Sequence, residues 1–568
     1  MILSLLDKKI STVHSAALIL GAAGFLSRLL GLFRDRLLAG IFGASRELDV
    51  YYAVFQIPDF VYSVLLLGAG SMAILPIFFD ALGKGKEEAE NFISELLRFF
   101  FIVAVFTIGL GMFFASEIMG RLFVGFSASE LSNAVFLTRV MFLSPLLLGF
   151  SGIFMSVSQA HHKFIAYSLS GVLYNVGIIA AILIVVPFFG VSGLVVGVVC
   201  GAFLHLLIQI FVYWRLGFRI IVWGRAWSPR IREVVFIAFP RVISLALSQI
   251  TLAILLGIAS TLSVGSITIF QFANNLAFLP MGVFAISYST ALFPRLAETA
   301  ASNDGEKFFG HIFFGIRTIL FWIIPVSFLL IVLRAHIVRV VLGTGSFDWS
   351  DTRLTAALVA IFACALIAES LNGFFVRAFY AVRMTWLPLG VNFFSMIAAI
   401  FSAHFFTRAL QESSVVAGTV YSFFRIADVS GGEILGVALG FAVMSFVNVI
   451  LQSAILFIFI RRWVLISKTF VFYNELLRPI GKIIFASAIG AFMARQTAQT
   501  FSMFFSLDTF VGVFLQGIFA GAVGIIVWGV LLYSMKSDDF DALLLSLRRK
   551  LFTIDVLPRE WNGDKTPT

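Results

Sequence analysis

Long apolar runs separated by short charged or turn-rich connections dominate the chain, at 14–42, 49–79, 92–120, 131–160, 164–187, 191–216, 232–262, 266–297, 308–343, 353–382, 385–407, 432–460, 476–500 and 508–535. A run of roughly 20 apolar residues crosses the hydrocarbon core of a bilayer as a helix. In lipid a helix also satisfies its own backbone hydrogen bonds. The pattern therefore predicts an all-α polytopic membrane protein with about fourteen transmembrane helices. Composition supports this, since 60% of the 568 residues are hydrophobic and 12% are charged, against roughly 25% charged in a soluble domain. Little chain remains for a soluble domain, so the helices must build the core.

The polar punctuation repeats. Ser71-Met-Ala-Ile-Leu-Pro76, near the end of the second run, recurs as Ser289-Thr-Ala-Leu-Phe-Pro294 near the end of the eighth. Gly193-Leu-Val-Val-Gly197 in the sixth is echoed by Gly436-Val-Ala-Leu-Gly440 in the twelfth. One Gly-x-x-x-Gly alone means close helix packing, but the matched order of both signals predicts two six-helix lobes of the same topology, related by an axis along the membrane normal. The expected boundaries are 1–220 and 221–465 for the lobes, 466–535 for two further helices and 536–568 for a tail.

Charge orients this frame. With the first connection outward, Lys84 and Lys86, His161 to Lys163, Arg215 to Arg232, Arg295 and Lys307, Arg383, and Arg461 to Lys482 all fall on one side with the tail. The positive-inside rule makes that side, and both termini, cytoplasmic. Two opposite connections have mixed signs: 336–353 with His336, Arg339, Asp348, Asp351 and Arg353, and 408–431 with Arg408, Glu412, Arg425 and Asp428. Topology thus accounts for the net charge of +10, and no tract interleaves basic and aromatic residues for stacking bases, which excludes nucleic acid as a partner. Lys8 and Lys9 precede an apolar stretch far longer than a signal-peptide core, so it reads as a retained first span. The tail from Asp538 to Phe552 suits a helix on the anionic inner leaflet, or a solvated segment. Cys200 and Cys364 lie singly in apolar runs and read as small hydrophobic residues. His161 and His162 have no acid or cysteine cluster beside them, so neither a metal nor another cofactor is expected.

Ionisable residues inside the runs mark candidate function, because lipid cannot solvate them. The first run holds Ser27, Arg28, Arg34 and Asp35. Arg28 and Asp35 share a helix face, with Arg34 about 120° away; Gly21, Gly24 and Gly31 allow bending that could bring both arginines into one cavity. The alternative is an Arg28 and Asp35 ion pair that staples helices. In the second run Asp49, Gln56, Asp59 and Ser63 form a polar stripe, and Pro58 frees a carbonyl and favours a kink. Gln271, Asn274 and Asn275 share a face of the eighth run, Pro240-Arg241 opens the seventh, and Arg317, Glu369, Asn372 and Arg377 are isolated polar points. No P-loop, Gly-x-Ser-x-Gly elbow or His-Glu-x-x-His pattern occurs, and the acids lie on separate helices, which favours transport over catalysis.

Ser27-Arg-Leu-Leu-Gly-Leu-Phe-Arg-Asp35, Ile41-Phe-Gly-Ala44, Asp49, Ile57-Pro58, Gly68-Ala69, Ser71 and Pro76 follow in an order that resembles the MurJ (MviN) family of lipid II flippases, within the multidrug/oligosaccharidyl-lipid/polysaccharide exporter superfamily. Phe239-Pro-Arg-Val-Ile-Ser-Leu-Ala-Leu-Ser-Gln-Ile250, Phe272-Ala-Asn-Asn-Leu276, Pro280-Met-Gly-Val-Phe284 and Arg377-Ala-Phe-Tyr-Ala381 extend the likeness. It implies two six-helix lobes plus two helices in a bacterial inner membrane, exporting a lipid-linked peptidoglycan precursor by alternating access, with membrane lipids and a coupling ion as further candidate partners. Ser27, Arg28, Arg34, Asp35, Asp49, Gln56, Asp59, Asn274 and Asn275 are the expected substrate-site residues. Arginine suits this cargo because it grips phosphate bidentately. Where many members of the family place arginines, the chain has Tyr62 and Asn275, and it has Met384 where an aspartate is common. Cationic character therefore concentrates in the first span. The alternatives are a flippase for another undecaprenyl-pyrophosphate-linked saccharide, an ion-coupled drug antiporter of the same superfamily, and a scaffold that transports nothing.

Overall fold

A computed structural model describes residues 13–69, 71–463, 476–504 and 509–552; Lys8, Lys9 and Lys468 lie outside them. The first expected span is one helix, α1 (Val13–Phe42). The second divides into α2 (Arg46–Val54), α3 (Gln56–Ala69) and α4 (Ser71–Lys84). Gly43, at a φ of 62°, ends α1, and the Ser45 side chain accepts the Leu48 N–H to start α2. Pro58 in the first turn of α3 has no N–H to continue the ladder of α2, which explains the break at Phe55.

Beyond them run α5 (Lys86–Leu122), α6 (Ala128–Met141), α7 (Leu143–Ala160), α8 (Phe164–Ile184), the short α9 (Val186–Phe189) and α10 (Val191–Arg215). After a connection at 216–228 come α11 (Pro229–Ser260), α12 (Ser266–Val283), α13 (Ala285–Ala301), α14 (Gly305–Val341), α15 (Trp349–Ala381), α16 (Trp386–Glu412), α17 (Ser414–Phe424) and α18 (Ile434–Trp463). The last described helices are α19 (Arg478–Phe501), α20 (Phe510–Ser534) and α21 (Asp538–Phe552). Among the described residues eleven segments are long and apolar enough to cross a membrane. The three other expected spans are helical but differ for physical reasons. The first carries Arg28, Arg34, Asp35 and Arg36, the second is broken, and α19 carries Arg478, Lys482 and Arg495.

The repeated sequence motifs occupy comparable places in their helices. The eighth span divides at Phe284 between α12 and α13, and each of the repeated Ser…Pro motifs lies in the later part of its span, with Pro76 and Pro294 inside α4 and α13. Gly197 packs α10 against Ala181 of α8, and Gly440 packs α18 against Ala403 of α16; a Cβ at either glycine would collide. The sixth run thus leans on the fifth as the twelfth leans on the eleventh. Small residues allow this close approach where lipid gives no hydrophobic drive between helices.

The last helices dock on the second half. Leu320, Phe321 and Ile324 of α14 form a buried cluster with Ile483 and Ala486 of α19 and with Trp528 and Leu532 of α20. Asp539 of α21 meets Arg317 of α14 at 2.8 Å, and Lys482 donates to the Met535 carbonyl at 2.8 Å. The start of the tail helix is therefore packed against the bundle.

Candidate functional site

The polar residues of α1 face different neighbours. Ser27 faces α8, where its hydroxyl donates to the Gly171 carbonyl at 3.2 Å and accepts from Asn175 Nδ2 at 3.2 Å. Arg28 points the other way and lays its guanidinium over Gly282 near the end of α12, where any side chain would collide with it. Because the contact is with the tip of a flexible side chain, a Cβ at 282 would displace the guanidinium from this seat.

One helical turn and a half further on, Arg34 donates through Nε and Nη2 to Asp35 Oδ1 at 3.0 and 2.8 Å. The other oxygen of Asp35 accepts from Asn275 Nδ2 of α12 at 3.0 Å. Asp35 therefore pairs with its immediate neighbour rather than with Arg28, because the long arginine side chain folds back along its own helix. Asp35 is buried while Arg34 keeps 22% of its side chain accessible. The phenols of Tyr51, Tyr52 and Tyr174 lie within electrostatic reach of the Arg34 guanidinium. Asp59, half-buried, is in similar reach of Tyr51, Tyr62 and Tyr174.

Asp49 is a separate device. Its carboxylate accepts Gly265 N–H at 2.7 Å, Thr268 N–H at 2.9 Å and the Thr268 hydroxyl at 2.8 Å. It is 1% exposed and caps the N-terminus of α12, where free N–H groups and the helix dipole favour an anion. Gly265, at a φ of 87°, lies tight against the Ala44 carbonyl. Around it the same end of the bundle is sewn together. Ser346 N–H donates to Gly40 O at 2.9 Å, Ala44 N–H to Asp351 at 3.2 Å, and Arg36 Nη1 to Val340 O at 2.6 Å. This is the end expected to face outward. At the opposite end α4 and α13 share no packed face among the described residues.

The remaining expected residues lie elsewhere. Gln56 donates to Tyr52 O at 3.1 Å within its own segment, and its buried Oε1 has no partner among the described residues. Ser63 donates to Phe60 O at 2.7 Å. Asn274 turns away from Asn275 and lines a cavity of about 260 Å³ inside the second half, with Glu369, Asn372, Asn392, Ser395 and Asn448. Gln452 Nε2 donates to Asn372 at 2.7 Å, and Asn448 Nδ2 to Asn392 at 2.8 Å, so that cavity has a hydrogen-bonded wall. Sequence reasoning brought together Arg34, Asp35 and Asn275 as one site but missed Asn175, Arg36 and Thr268. Asn175 and Arg36 were visible as polar residues in apolar runs; Thr268 becomes meaningful only beside Asp49.

Comparison with known proteins shows what this arrangement is similar to. A model of the family described as lipid II flippase MurJ matches residues 38–512. The probable lipid II flippase MurJ of Borreliella burgdorferi is 32% identical over 64% of this chain and 72% of its own length. The protein of the same name from Thermotoga maritima is 28% identical over 76% of this chain and 89% of its own. Among solved structures, lipid II flippase MurJ in an inward closed conformation superposes with a TM-score of 0.69 at 23% identity, covering 91% of this chain and 99% of that one. An inward-facing multidrug transporter of the MATE family gives 0.61 at 15% identity, covering 77% and 95%, which shows a shared fold.

Proposed function

Because the chain belongs to the lipid II flippase MurJ family, we propose that it carries lipid II, the lipid-linked peptidoglycan precursor, from the inner to the outer leaflet of a bacterial inner membrane, with Arg28 and Arg34 receiving the pyrophosphate. The observation that supports this reading is that Arg28 lies over Gly282 of α12 and that Arg34 is tied through Asp35 to Asn275 of the same helix. An anionic head group between the halves would touch both at once. A pyrophosphate is a stronger bidentate partner than one carboxylate oxygen, so its arrival draws Arg34 off Asp35. Asp35 and Asn275 then respond together. Ser27 orients α1 against α8, Gln56 and Asp59 supply polar wall, and Asp49 holds the outward end shut until α12 moves. The prenyl tail stays in lipid.

Alternating access in this proposal is a rocking of two lobes, 1–220 and 221–465, with 466–535 as an added pair of helices and 536–568 as a tail. Both termini are cytoplasmic, as the basic connections favour. The protein is a transporter without a catalytic step of its own. For a coupling ion, the cavity lined by Glu369 and four asparagines is the proposed site, supported by a carboxylate among neutral amides and a lining without lysine or arginine.

A second reading, a flippase for another undecaprenyl-pyrophosphate-linked saccharide, is favoured by neutral Asn275 bonding Asp35. A drug antiporter is disfavoured, since Arg28 and Arg34 repel cationic cargo. Depletion of the protein with outer-leaflet lipid II as the readout tests the proposal. Translocation should stop, and a lipid II flippase-deficient strain should be rescued by the wild type. Unchanged translocation, or full activity of the Arg28→Ala, Arg34→Ala variant, overturns it, and rescue that fails while another saccharide lipid accumulates supports the second reading.

A further inference from the structure

The connection between the two halves, 216–228, has no helix of its own, yet it is held along one face of α5. Arg219 N–H donates to Glu90 at 3.1 Å and Ile221 N–H to Ser94 Oγ at 2.9 Å. Arg98 gathers three carbonyls: Arg225 O at 3.0 Å through Nε and 2.9 Å through Nη2, Trp223 O at 3.3 Å, and Ile221 O. Ser228 Oγ donates to Glu95 at 2.7 Å, and Arg230 pairs with Glu88 at 2.7 Å. Gly224, at a φ of 143°, turns directly over the Arg98 guanidinium. Glu88, Glu90, Glu95 and Arg98 of α5 are thus engaged in fixing the backbone of this strap and the start of α11.

The strap's side chains face outward. Val222 is 68% exposed, Trp223 88% and Trp227 55%. Arg219, Arg225 and Arg232 are exposed beside them, and no Asp or Glu occurs from Arg215 to Arg232. Exposed tryptophans alternating with arginines, at the level where α10 ends and α11 begins, have the chemistry of the membrane interface: indole rings at head-group depth and guanidinium groups on phosphate. Because the backbone is already fixed, binding orders little additional chain.

We propose that the 216–228 strap is an interfacial anchor that inserts Val222 and Trp223 among the phospholipid head groups on the basic side of the bundle and binds their phosphates through Arg219 and Arg225. The inference does not depend on the cargo. A nitroxide at Val222→Cys, in the full chain with Cys200→Ser and Cys364→Ser, tests it in vesicles of phosphatidylcholine and of phosphatidylcholine mixed with phosphatidylglycerol. The label should collide severalfold less with an aqueous nickel chelate, and more with oxygen, than a label at Asn303 on another basic-side connection. Phosphatidylglycerol should shield it further, Arg219→Gln with Arg225→Gln should remove that extra shielding, and Trp223→Ala should lift the label toward water. A label as open to the chelate as the one at Asn303, the result expected for bare solvent or a soluble protein partner, overturns the proposal. So does extra shielding that survives loss of both arginines. A label at Ala226→Cys repeats the reading if the first variant fails to fold.

Discussion

Two aspartates reach from the first half of the bundle to the same helix, α12, and they hold it differently. Asp49 grips the backbone: two N–H groups and a hydroxyl at the helix start, fully buried. Asp35 grips side chains, Asn275 of α12 and its own neighbour Arg34. A backbone cap is lost only if the helix end moves away, whereas a side-chain pair is exchanged whenever a better anion or cation arrives. In the proposed cycle the first contact is a latch and the second a sensor. They sit about seven residues apart along α12, between Thr268 and Asn275, or roughly 10 Å at helical rise, so that a change at the sensor is transmitted to the latch through one rigid element.

Removing the sensor's cations should have the largest effect. Arg28→Ala with Arg34→Ala removes two charge-assisted phosphate contacts, worth about 3 to 5 kcal/mol together, and should reduce lipid II transport in vesicles by at least about a hundredfold. Breaking the latch comes next. Asp49→Ala strands the Gly265 and Thr268 N–H groups and should cost about 2 kcal/mol, read as a lowered midpoint of thermal unfolding and as chelate access to a spin label at the outward end. Asn275→Leu removes only the link between sensor and α12. It should leave folding nearly intact but reduce transport a few-fold, by about 1 kcal/mol; equal losses in Asp49→Ala and Asn275→Leu would erase the distinction between latch and sensor.

The smallest effect lies outside the comparison and serves as its control. Hydrogen bonds from Arg353 hold the Asp428 carboxyl below its usual range. A depressed carboxylate adds stability above its unfolded pKa and loses it as pH falls through the folded value. The 425–428 loop should therefore be unchanged near neutrality and loosen only below about pH 4, seen as faster amide exchange there, with transport unaffected because the pair is exposed.

The fold was legible wherever hydrophobic run length decides it, and the matched Gly-x-x-x-Gly signals corresponded to matched helix contacts. Arg28, Arg34 and Asp35 were legible too, because charge inside an apolar run demands an explanation. Their partners were not. Asp35 and Asn275 are 240 residues apart, and Asp49 and Thr268 are 219 apart, and nothing local to either residue specifies that meeting. The shared face of Arg28 and Asp35 on an ideal helix suggested a pair that the structure does not form, since side-chain length lets Arg34 reach its own neighbour. Asn274 and Asn275 looked like one polar face, yet one lines the Glu369 cavity and the other meets α1. Helical periodicity places adjacent residues about 100° apart, enough to separate two sites.

The central claim is that Arg28 and Arg34 bind a pyrophosphate. The most direct measurement is equilibrium binding, in nanodiscs, of lipid II and of an analogue with a single phosphate, to the wild type and to the Arg28→Gln, Arg34→Gln variant. The expected result is tighter binding of lipid II by the wild type, a preference lost in the variant while its affinity for the analogue falls less. A variant that keeps the full preference would contradict the account.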